Sequence, residues 1–389
     1  MTKTGLDLIF SNFPKRFIKA RLGLVVHPAS INRNFIHTVD VFFMKGFNIS
    51  ALFGPQHGIR GETQDNMIEW EGFKDPKTNI QIYSLYGKNR KPTQDMLKDT
   101  DCLVIDLQDI GARYYTYIWT MDLIMEACHE LGKSVIVLDR PNPIGCDITE
   151  GPVLDINFSS FVGLKPLPIR HGMTIGEISL YLKDIYYKNL ELYVVKMKGY
   201  RRSMWFDDTF LHWIMPSPNM PTLDTATVYP GQCLLEGTNI SEGRGTTRPF
   251  EIFGAPFIDP DKLLKRLKEY RLKGCLFRPL YFQPTFHKFA GQICGGAQIH
   301  ITNRLKYKPF ETSVVIIKSI IDLYPKEKIW RDPPYEYEYH KLPIDIIVGT
   351  DRLRLDIENN KSLKAMSSWW QRDAIQFNKT VMKKYTLYD

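Results

Sequence analysis

The chain has 389 residues, of which 43% are hydrophobic and 24% charged, an ordinary globular composition with enough apolar material for one large or two medium domains. Its formal net charge of +8 would suit an anionic partner, but the basic residues are scattered, so we expect a solvated surface and no nucleic-acid partner. The sequence shows no signal-peptide pattern and no bilayer-spanning apolar run. This predicts a cytoplasmic protein, or a periplasmic or secreted one if a leader was removed.

In the first half of the chain, short apolar runs alternate with helical patterns. The apolar runs predict six strands, over 23–28, 48–55, 80–87, 101–109, 133–143 and 191–199. The segments between them predict helices over 35–45, 114–131 and 174–187, the last with Thr174 and Glu177 as a capping box. Strands and helices alternating in this rhythm are typical of an α/β fold, a parallel sheet covered by helices on both faces.

The pattern changes after residue 216. Residues 216–260 are rich in Pro, Gly, Thr and Asn with little periodicity, and an irregular segment of that length in a compact chain is usually functional. Beyond it the sequence predicts helices over 261–273, 311–324 and about 367–384, and strands over 276–284 and 295–302. We therefore expect an α/β domain over 1–222 followed by a smaller α+β domain over 223–389.

Polar side chains are concentrated at the ends of three predicted strands. Ligands of an open parallel sheet bind outside the carboxyl ends of its strands, so we expect a ligand crevice there. The second strand is followed by Gln56, His57, Arg60 and Glu62, the fourth by Asp109, Arg113 and Tyr114, and the fifth by Asp139, Arg140 and Asn142. The ordinary alternative for any one of these residues is helix capping or a bridge between loops.

The irregular segment adds a second group of charged residues within 235–251. These are Glu236, Asn239, Glu242, Arg244 and Arg248, interspersed with glycines that allow close backbone approach to a ligand. The arginines suit two-pronged hydrogen bonding to a ligand carboxylate. A surface loop of internally paired glutamates and arginines is the alternative.

Several chemistries find no support in the sequence. There is no GxGxxG after a strand, no Walker-A loop and no GxSxG elbow. The six cysteines form no CxxC pair and the histidines are not at metal-ligand spacing, so we expect neither a cofactor nor a metal. The remaining combination of carboxylates, arginines, amides and aromatics suits sugar recognition and acid/base cleavage of a glycosidic bond.

Long motifs of the chain resemble those of the exo-β-N-acetylmuramidase (NamZ-like) family, in the same order and over almost the whole length. They include "GPQHGIRG", "DLQDIGARYYTY", "LDRPNPIG", "RHGMTIGE", "PSPNMPT" and "LEGTNISEGRGTTRPFE". The resemblance implies a Rossmann-like domain, a second domain and a cleft between them that removes terminal N-acetylmuramic acid from peptidoglycan fragments. It implies no nucleotide or metal. We expect the lactyl carboxylate of that sugar to pair with Arg244, Arg248 or Arg170.

The chain departs from this family at Gln56, because many relatives read Pro-Glu-His-Gly where it reads Pro-Gln-His-Gly. That glutamate is the family's leading candidate for a catalytic acid. Three interpretations follow. Glu242, or alternatively Glu236 or Glu62, supplies the proton while Gln56 orients the sugar. Alternatively, the N-acetyl group of the substrate is the nucleophile and Gln56 polarises it. In the third interpretation the chain binds a cell-wall sugar without cleaving it.

We therefore assign expected roles as follows. The catalytic group consists of Glu242, Glu236, Glu62, Gln56 and His57. Substrate contacts are expected from Arg60, Asp109, Arg113, Tyr114, Asp139, Arg140, Asn142, Arg170, His171, Asn219, Asn239, Arg244 and Arg248. Of these, Asp109 and Asp139 are expected to position His57, Arg113 or Arg140.

Overall fold

A computed structural model describes residues 1–11, 13–61, 63, 69 and 72–389. The candidate acid Glu62 lies outside the described residues. The strands are β1 (Leu22–Val26), β2 (Ile49–Gly54), β3 (Ile82–Ser84), β4 (Cys102–Asp106), β5 (Ser134–Leu138), β6 (Glu150–Val153), β7 (Pro168–Arg170), β8 (Leu192–Val195), β9 (Ile252–Ala255), β10 (Cys275–Phe282) and β11 (Cys294–Ile301). The helices are α1 (Gly5–Leu8), α2 (Thr38–Met44), α3 (Gln94–Leu97), α4 (Tyr117–Glu130), α5 (Ile175–Tyr186), α6 (Leu223–Gln232), α7 (Pro260–Glu269), α8 (Pro309–Leu323), α9 (Pro343–Val348), α10 (Arg352–Glu358), α11 (Leu363–Phe377) and α12 (Lys383–Tyr385).

The six predicted strands of the first half form one sheet in the order β3-β2-β1-β4-β5-β8, and every pairing is parallel. Counted along the sheet's own strands this is the 3-2-1-4-5-6 order of Rossmann-like folds, so the predicted fold class is confirmed. All residues of β1, β4 and β5 are buried, which explains why they are continuous apolar runs in the sequence. The order reverses between β1 and β4, and loops from both strands leave the carboxyl edge there.

The second half contains a smaller antiparallel sheet in the order β10-β11-β9, which confirms the expected α+β unit. One hydrophobic cluster runs from the sheet face that carries Val25, Ile105 and Val137 to Ile316 in α8 and Ile347 in α9. The two units therefore share a core, which fixes the seam between them.

The expectation that residues 216–260 lack regular structure is wrong. They contain helix α6 and strand β9. The capping box predicted at Thr174, at the start of α5, is confirmed. Helix α6 is buried from Thr225 to Gln232, so it has no polar face to produce a helical pattern. Pro230 and Gly231 lie inside it, and a Cβ at Gly231 would stand 1.9 Å from the carbonyl oxygen of Pro309. Tight packing against α8 thus requires residues such as Gly231 that are not typical of helices, so the sequence does not indicate a helix here.

Asp139 is a structural residue and does not contact the pocket described below, contrary to the substrate-binding role that we expected. Its carboxylate accepts hydrogen bonds from Gly176 N at 2.8 Å and Thr174 Oγ1 at 2.9 Å, at the start of α5. The Tyr388 hydroxyl donates to the same carboxylate at 2.5 Å. Burial raises the pKa of Asp139 to about 7. The residue therefore joins β5, α5 and the C-terminal segment.

Arg113 is also structural, because its fully buried guanidinium binds four backbone carbonyls. It donates to Pro152 O and Leu167 O, both at 2.9 Å, and to Ile347 O at 2.8 Å and Val348 O at 2.7 Å. The first two carbonyls belong to the β6–β7 region and the last two to α9. Arg113 therefore clamps the two units together, and no carboxylate of the described residues pairs with it.

The Arg113 clamp predicts a large stability loss for Arg113→Lys. A lysine ammonium cannot reach two pairs of carbonyls at once, and each buried carbonyl left unsatisfied costs roughly 1–3 kcal/mol. We expect the free energy of unfolding to fall by about 3 kcal/mol in urea titrations. The matched control is Arg278→Lys, at an exposed arginine that makes a single hydrogen bond to Gln298, and it should change by less than about 0.5 kcal/mol. Equal effects of the two variants would contradict the clamp.

Candidate active site

A small polar pocket lies at the carboxyl edge of the six-stranded sheet, in the seam between the two units. Six candidate residues line it together: Gln56, His57, Tyr114, Asn219, Glu236 and Arg244. Aromatic side chains supply much of the remaining wall: Tyr115, Tyr117, Tyr229, Phe250 and Tyr335. The expected crevice at the strand ends is therefore formed jointly by both units, and each contributes polar groups to it.

Gln56 is held in one orientation by two hydroxyl groups. The loop after β2 turns sharply here, since His57 and Gly58 have φ values of 72° and 85°. The Thr116 hydroxyl donates to Gln56 Oε1 at 2.8 Å, and Gln56 Nε2 donates to the Tyr86 hydroxyl at 3.2 Å. Only 5% of Gln56 is exposed, so the amide is a fixed part of the pocket wall.

Glu336 is a second carboxyl of the pocket, and the sequence analysis missed it. The Tyr86 hydroxyl lies 3.0 Å and 3.3 Å from its two oxygens, so Tyr86 links Gln56 to Glu336. Burial, reinforced by the negative charge of Glu236, raises the pKa of Glu336 to about 7. A substantial fraction of Glu336 is therefore still protonated near pH 7, unlike an exposed glutamate.

A tight turn places Glu336 in the pocket. Tyr335 and Glu338 exchange backbone hydrogen bonds of 3.0 Å and 2.9 Å, and the two residues between them, Glu336 and Tyr337, have φ values of 45° and 66°. Residues other than glycine cost roughly 1–3 kcal/mol each in this region, and such strain is concentrated at functional sites. The alternating tyrosines and glutamates of "PYEYEYH" are the only sequence signal for it.

Glu236 lies across the pocket, in a short 3-10 segment after α6. Arg244 donates to Glu236 Oε1 at 2.7 Å, and the Tyr335 hydroxyl donates to Glu236 Oε2 at 2.6 Å. The Arg244 guanidinium also faces the ring of Phe250, with its carbon 5.2 Å from the ring centroid. Both oxygens of Glu236 thus accept hydrogen bonds within the pocket wall.

Glu242, our first choice of catalytic acid, does not line the pocket. It is fully buried behind Arg244, with Lys288 Nζ at 2.9 Å, His287 Nδ1 at 3.1 Å and Arg244 Nε at 3.4 Å. Burial alone would raise the pKa of Glu242, but Lys288, His287 and Arg244 together hold it well below its usual range. A carboxylate in this setting is a counter-ion and a poor proton donor.

Three other candidates lie outside the pocket wall and have partners of their own. Arg60 pairs with Asp75 at 2.8 Å. Arg248 contacts Glu251 at 3.3 Å with about half of its side chain exposed. Asn239 donates to Lys328 O at 2.9 Å.

Another set of candidates supports the loops beneath the pocket. Asp109 Oδ2 lies 3.1 Å from His171 Nε2 and accepts from Gly111 N at 2.7 Å, so it positions His171 and not His57. Arg140 makes a bidentate pair with Asp106 at 2.5 Å and 2.8 Å. The remaining two bind backbone carbonyls: Asn142 that of Met173, and Arg170 that of Ile144.

His27, at the end of β1, anchors one wall of the pocket. Its Nε2 accepts from Gln108 N at 2.9 Å, and its Nδ1 lies 3.2 Å from Pro216 O. Burial, together with the positive charge of Arg140, lowers the pKa of His27 to about 3, so the ring is neutral. The Tyr117 hydroxyl binds the same Pro216 carbonyl at 2.7 Å, which fixes the loop that carries Asn219.

Within the described residues, no group of three or more His, Cys, Asp or Glu side chains is arranged to hold a metal ion. No helix in these parts of the chain combines the length and the apolar character needed to cross a membrane.

Fold and site define a two-domain α/β protein with an acidic, tyrosine-lined pocket at the carboxyl edge of its Rossmann-like sheet. Residues 22–224 match the family model for the N-terminal domain of the exo-β-N-acetylmuramidase NamZ, and residues 227–388 match the model for its C-terminal domain. The chain therefore belongs to the NamZ exo-β-N-acetylmuramidase family, as its motifs predicted.

Known relatives agree with this assignment. The peptidoglycan β-N-acetylmuramidase NamZ of Bacillus subtilis (strain 168) is 43% identical over 388 residues, which cover 99% of this chain and 91% of the relative. Among solved structures, a DUF1343 family protein of Bacteroides fragilis NCTC 9343 is 34% identical with a TM-score of 0.90. A second such protein of the same strain is 29% identical with a TM-score of 0.77. Each alignment covers 100% of this chain and 99% of the solved chain.

The counter-ion role of Glu242 predicts that Glu242→Gln destabilises the fold. The variant leaves Arg244 and Lys288 buried without their shared carboxylate, which costs about 3–5 kcal/mol in comparable buried pairs. A carboxylate with a lowered folded-state pKa contributes stability above its unfolded-state pKa and loses it as the pH falls. The deficit of the variant in urea unfolding should therefore be full at pH 7 and shrink below about pH 4.3.

The matched control for Glu242→Gln is Glu269→Gln, which removes an exposed carboxylate paired with Arg266 at 2.5 Å on α7. We expect it to change the free energy of unfolding by at most about 1 kcal/mol. A Glu242→Gln protein as stable as the control at pH 7 would rule out the counter-ion role.

Proposed function

We propose that this protein is an exo-acting glycoside hydrolase that releases terminal N-acetylmuramic acid from peptidoglycan fragments. The observation that carries the proposal is a pocket lined by two buried carboxyl groups, Glu336 and Glu236. Glu336 has a pKa of about 7, and Glu236 accepts hydrogen bonds from Arg244 and Tyr335. The activity of the Bacillus subtilis relative, 43% identical over nearly the whole chain, gives the substrate class.

We assign the general acid to Glu336. Cleavage of a glycosidic bond requires a proton on the leaving oxygen, and a carboxylic acid delivers it only if it is still protonated at the working pH. The raised pKa of Glu336 meets that requirement, whereas the lowered pKa of Glu242 does not. In this proposal Glu336 supplies the proton in place of the family glutamate at position 56. This corresponds to the first of our three interpretations, with Glu336 instead of Glu242, Glu236 or Glu62 as the acid.

Glu236 is the complementary group in this proposal. Positive charge develops on the sugar ring in the oxocarbenium-like transition state, and a fixed carboxylate nearby stabilises it. The hydrogen bonds from Arg244 and Tyr335 hold Glu236 in place before the substrate arrives. Pre-organisation of this kind avoids the cost of reorienting groups during the reaction.

Gln56 is an orienting residue in this proposal. It is neutral, and its amide fixes the Tyr86 hydroxyl that contacts Glu336. A carboxyl group at position 56 would lie one hydroxyl group away from Glu336 and compete with it for a proton. Among the described residues that line the pocket, Glu336 is then the carboxyl group linked to Gln56 through Tyr86.

The function is tested with the purified protein and the disaccharide MurNAc–GlcNAc, with product release followed by chromatography. We expect release of N-acetylmuramic acid from the disaccharide and cleavage of a chromogenic N-acetylmuramide. Binding of the intact disaccharide in calorimetry without release of either product would overturn the proposal. That result would support the alternative of a non-catalytic cell-wall sugar sensor.

The acid role of Glu336 predicts that Glu336→Gln lowers kcat by about 100- to 10,000-fold, the usual contribution of a general acid. The matched control, Glu338→Gln, changes a carboxylate of the same turn that binds His340 N and Lys341 N, and it should retain activity. Because the acid must be protonated, the wild-type kcat should fall as the pH rises above about 7.

Gln56→Glu sharpens this test, since a second carboxyl beside Tyr86 should raise the pKa of Glu336 further. In the Gln56→Glu variant, we expect the fall of kcat at alkaline pH to occur about half a pH unit or more above that of the wild type. A Glu336→Gln variant with more than a tenth of wild-type kcat would contradict the acid role.

A further inference from the structure

Arg90 is stacked between two aromatic rings beside the pocket. Its guanidinium carbon lies 4.1 Å from the ring centroid of Tyr337 and 4.8 Å from that of Phe161. The side chain is half-buried, and its Nε is buried without a hydrogen-bond partner among the residues that the structure describes. Two rings fix the plane of a guanidinium at little further entropic cost and leave its nitrogens available to a ligand.

The position of Arg90 connects it to the proposed acid. Tyr337 directly follows Glu336 in the turn, and the ring of Phe161 lies 6.0 Å from the ring of Tyr86, whose hydroxyl contacts Glu336. The positive charge of Arg90 also acts on Glu336, where it opposes the rise in pKa that burial causes. Arg90 therefore lies behind the residues that line the pocket, on the side of Tyr86 and Glu336.

Four other arginines, all of which we expected to bind the sugar carboxylate or the substrate, already have partners. Arg244 pairs with Glu236 and Glu242, and Arg113 donates hydrogen bonds to four backbone carbonyls. Arg248 pairs with Glu251 away from the pocket wall, and Arg170 binds the carbonyl of Ile144. In the described parts of the chain, Arg90 has no carboxylate within ion-pair distance. Our expectation that Arg244, Arg248 or Arg170 pairs with the sugar therefore shifts to Arg90.

We infer that Arg90 binds the lactyl carboxylate of the muramic acid residue and thereby makes the pocket prefer muramic acid over glucosamine. This inference rests on the proposed function. The two N-acetylated sugars differ by a lactyl ether that carries one negative charge, so a single arginine suffices to distinguish them. A planar guanidinium matches a carboxylate with two parallel hydrogen bonds, which adds direction to the charge attraction. Arg90 is thus a specificity residue, and the proton transfer stays with Glu336.

The test compares Arg90→Gln with the wild type on two chromogenic substrates, an N-acetylmuramide and an N-acetylglucosaminide with the same leaving group. We expect kcat/KM for the muramide to fall about 10- to 100-fold, the range for loss of a hydrogen bond to a charged group. The value for the glucosaminide should change less than about threefold, because no lactyl group is present. Most of the muramide loss should be in KM, since the carboxylate is bound in ground and transition states alike.

Two further comparisons separate recognition from a structural effect. A muramide whose lactyl carboxylate is methylated should be cleaved equally by wild type and Arg90→Gln, and Arg90→Lys should recover part of the lost preference. The matched control is Lys88→Gln, which removes one positive charge from an exposed position in the same loop, and it should leave the muramide preference unchanged. An equal loss on both substrates in Arg90→Gln would overturn the inference while leaving the proposed function intact.

Binding measurements keep the inference testable if the proposed hydrolysis fails. In calorimetry, free N-acetylmuramic acid should bind the wild type more tightly than N-acetylglucosamine does, and Arg90→Gln should abolish the difference. Equal affinities of the wild type for the two sugars would rule out the role of Arg90, whatever the catalytic result.

Discussion

The site depends on one charge arrangement, in which Arg244 lies between Glu242 and Glu236 within the seam of the two units. Lys288 pairs with the other carboxylate oxygen of Glu242, so positive and negative groups alternate from Lys288 to Glu236. Buried charges are tolerated only when each has a partner, and this alternation provides one at every step. Glu336 lines the same pocket and accepts a hydrogen bond from the Tyr86 hydroxyl. Burial, together with the nearby negative charge of Glu236, raises the pKa of Glu336 to about 7.

Gln56 is connected to the same pocket through hydrogen bonds. Its side chain is the neutral end of a hydrogen-bonded series that runs through Tyr86 to Glu336. Many relatives of the family carry a glutamate there, and a proton in such a pocket would be shared between two carboxyls. Glutamine removes that sharing with little change of shape. Under the proposed function, the acid of the pocket is therefore Glu336 and not residue 56.

The sequence predicted the parallel sheet, its six strands and the capping box at Thr174, because buried strands and helix starts leave strong local patterns. The rule that ligands bind at carboxyl ends of strands also brought Gln56, His57 and Tyr114 to one pocket. The same rule misassigned Arg113 and Asp139, since polar residues at strand ends also clamp carbonyls and cap helices.

What the sequence could not show depends on long-range packing. Glu336 lies 280 positions after Gln56 and reaches the pocket through a turn with left-handed backbone geometry, which no periodic pattern reveals. Helix α6 was not predicted because its residues from Thr225 to Gln232 are all buried and leave no helical pattern of polar and apolar residues. The role of Glu242 is set by Lys288 and His287, which follow it by more than 40 residues.

The Arg113 clamp has a consequence for how a sugar reaches the pocket. One guanidinium binds carbonyls of both units, and their hydrophobic core is continuous across the seam. A hinge motion that swung the units apart would break buried hydrogen bonds and expose apolar surface at the same time, so such an opening is rare. We therefore expect access to the pocket to depend on loop movements at the carboxyl edge of the sheet and not on a hinge between the two units.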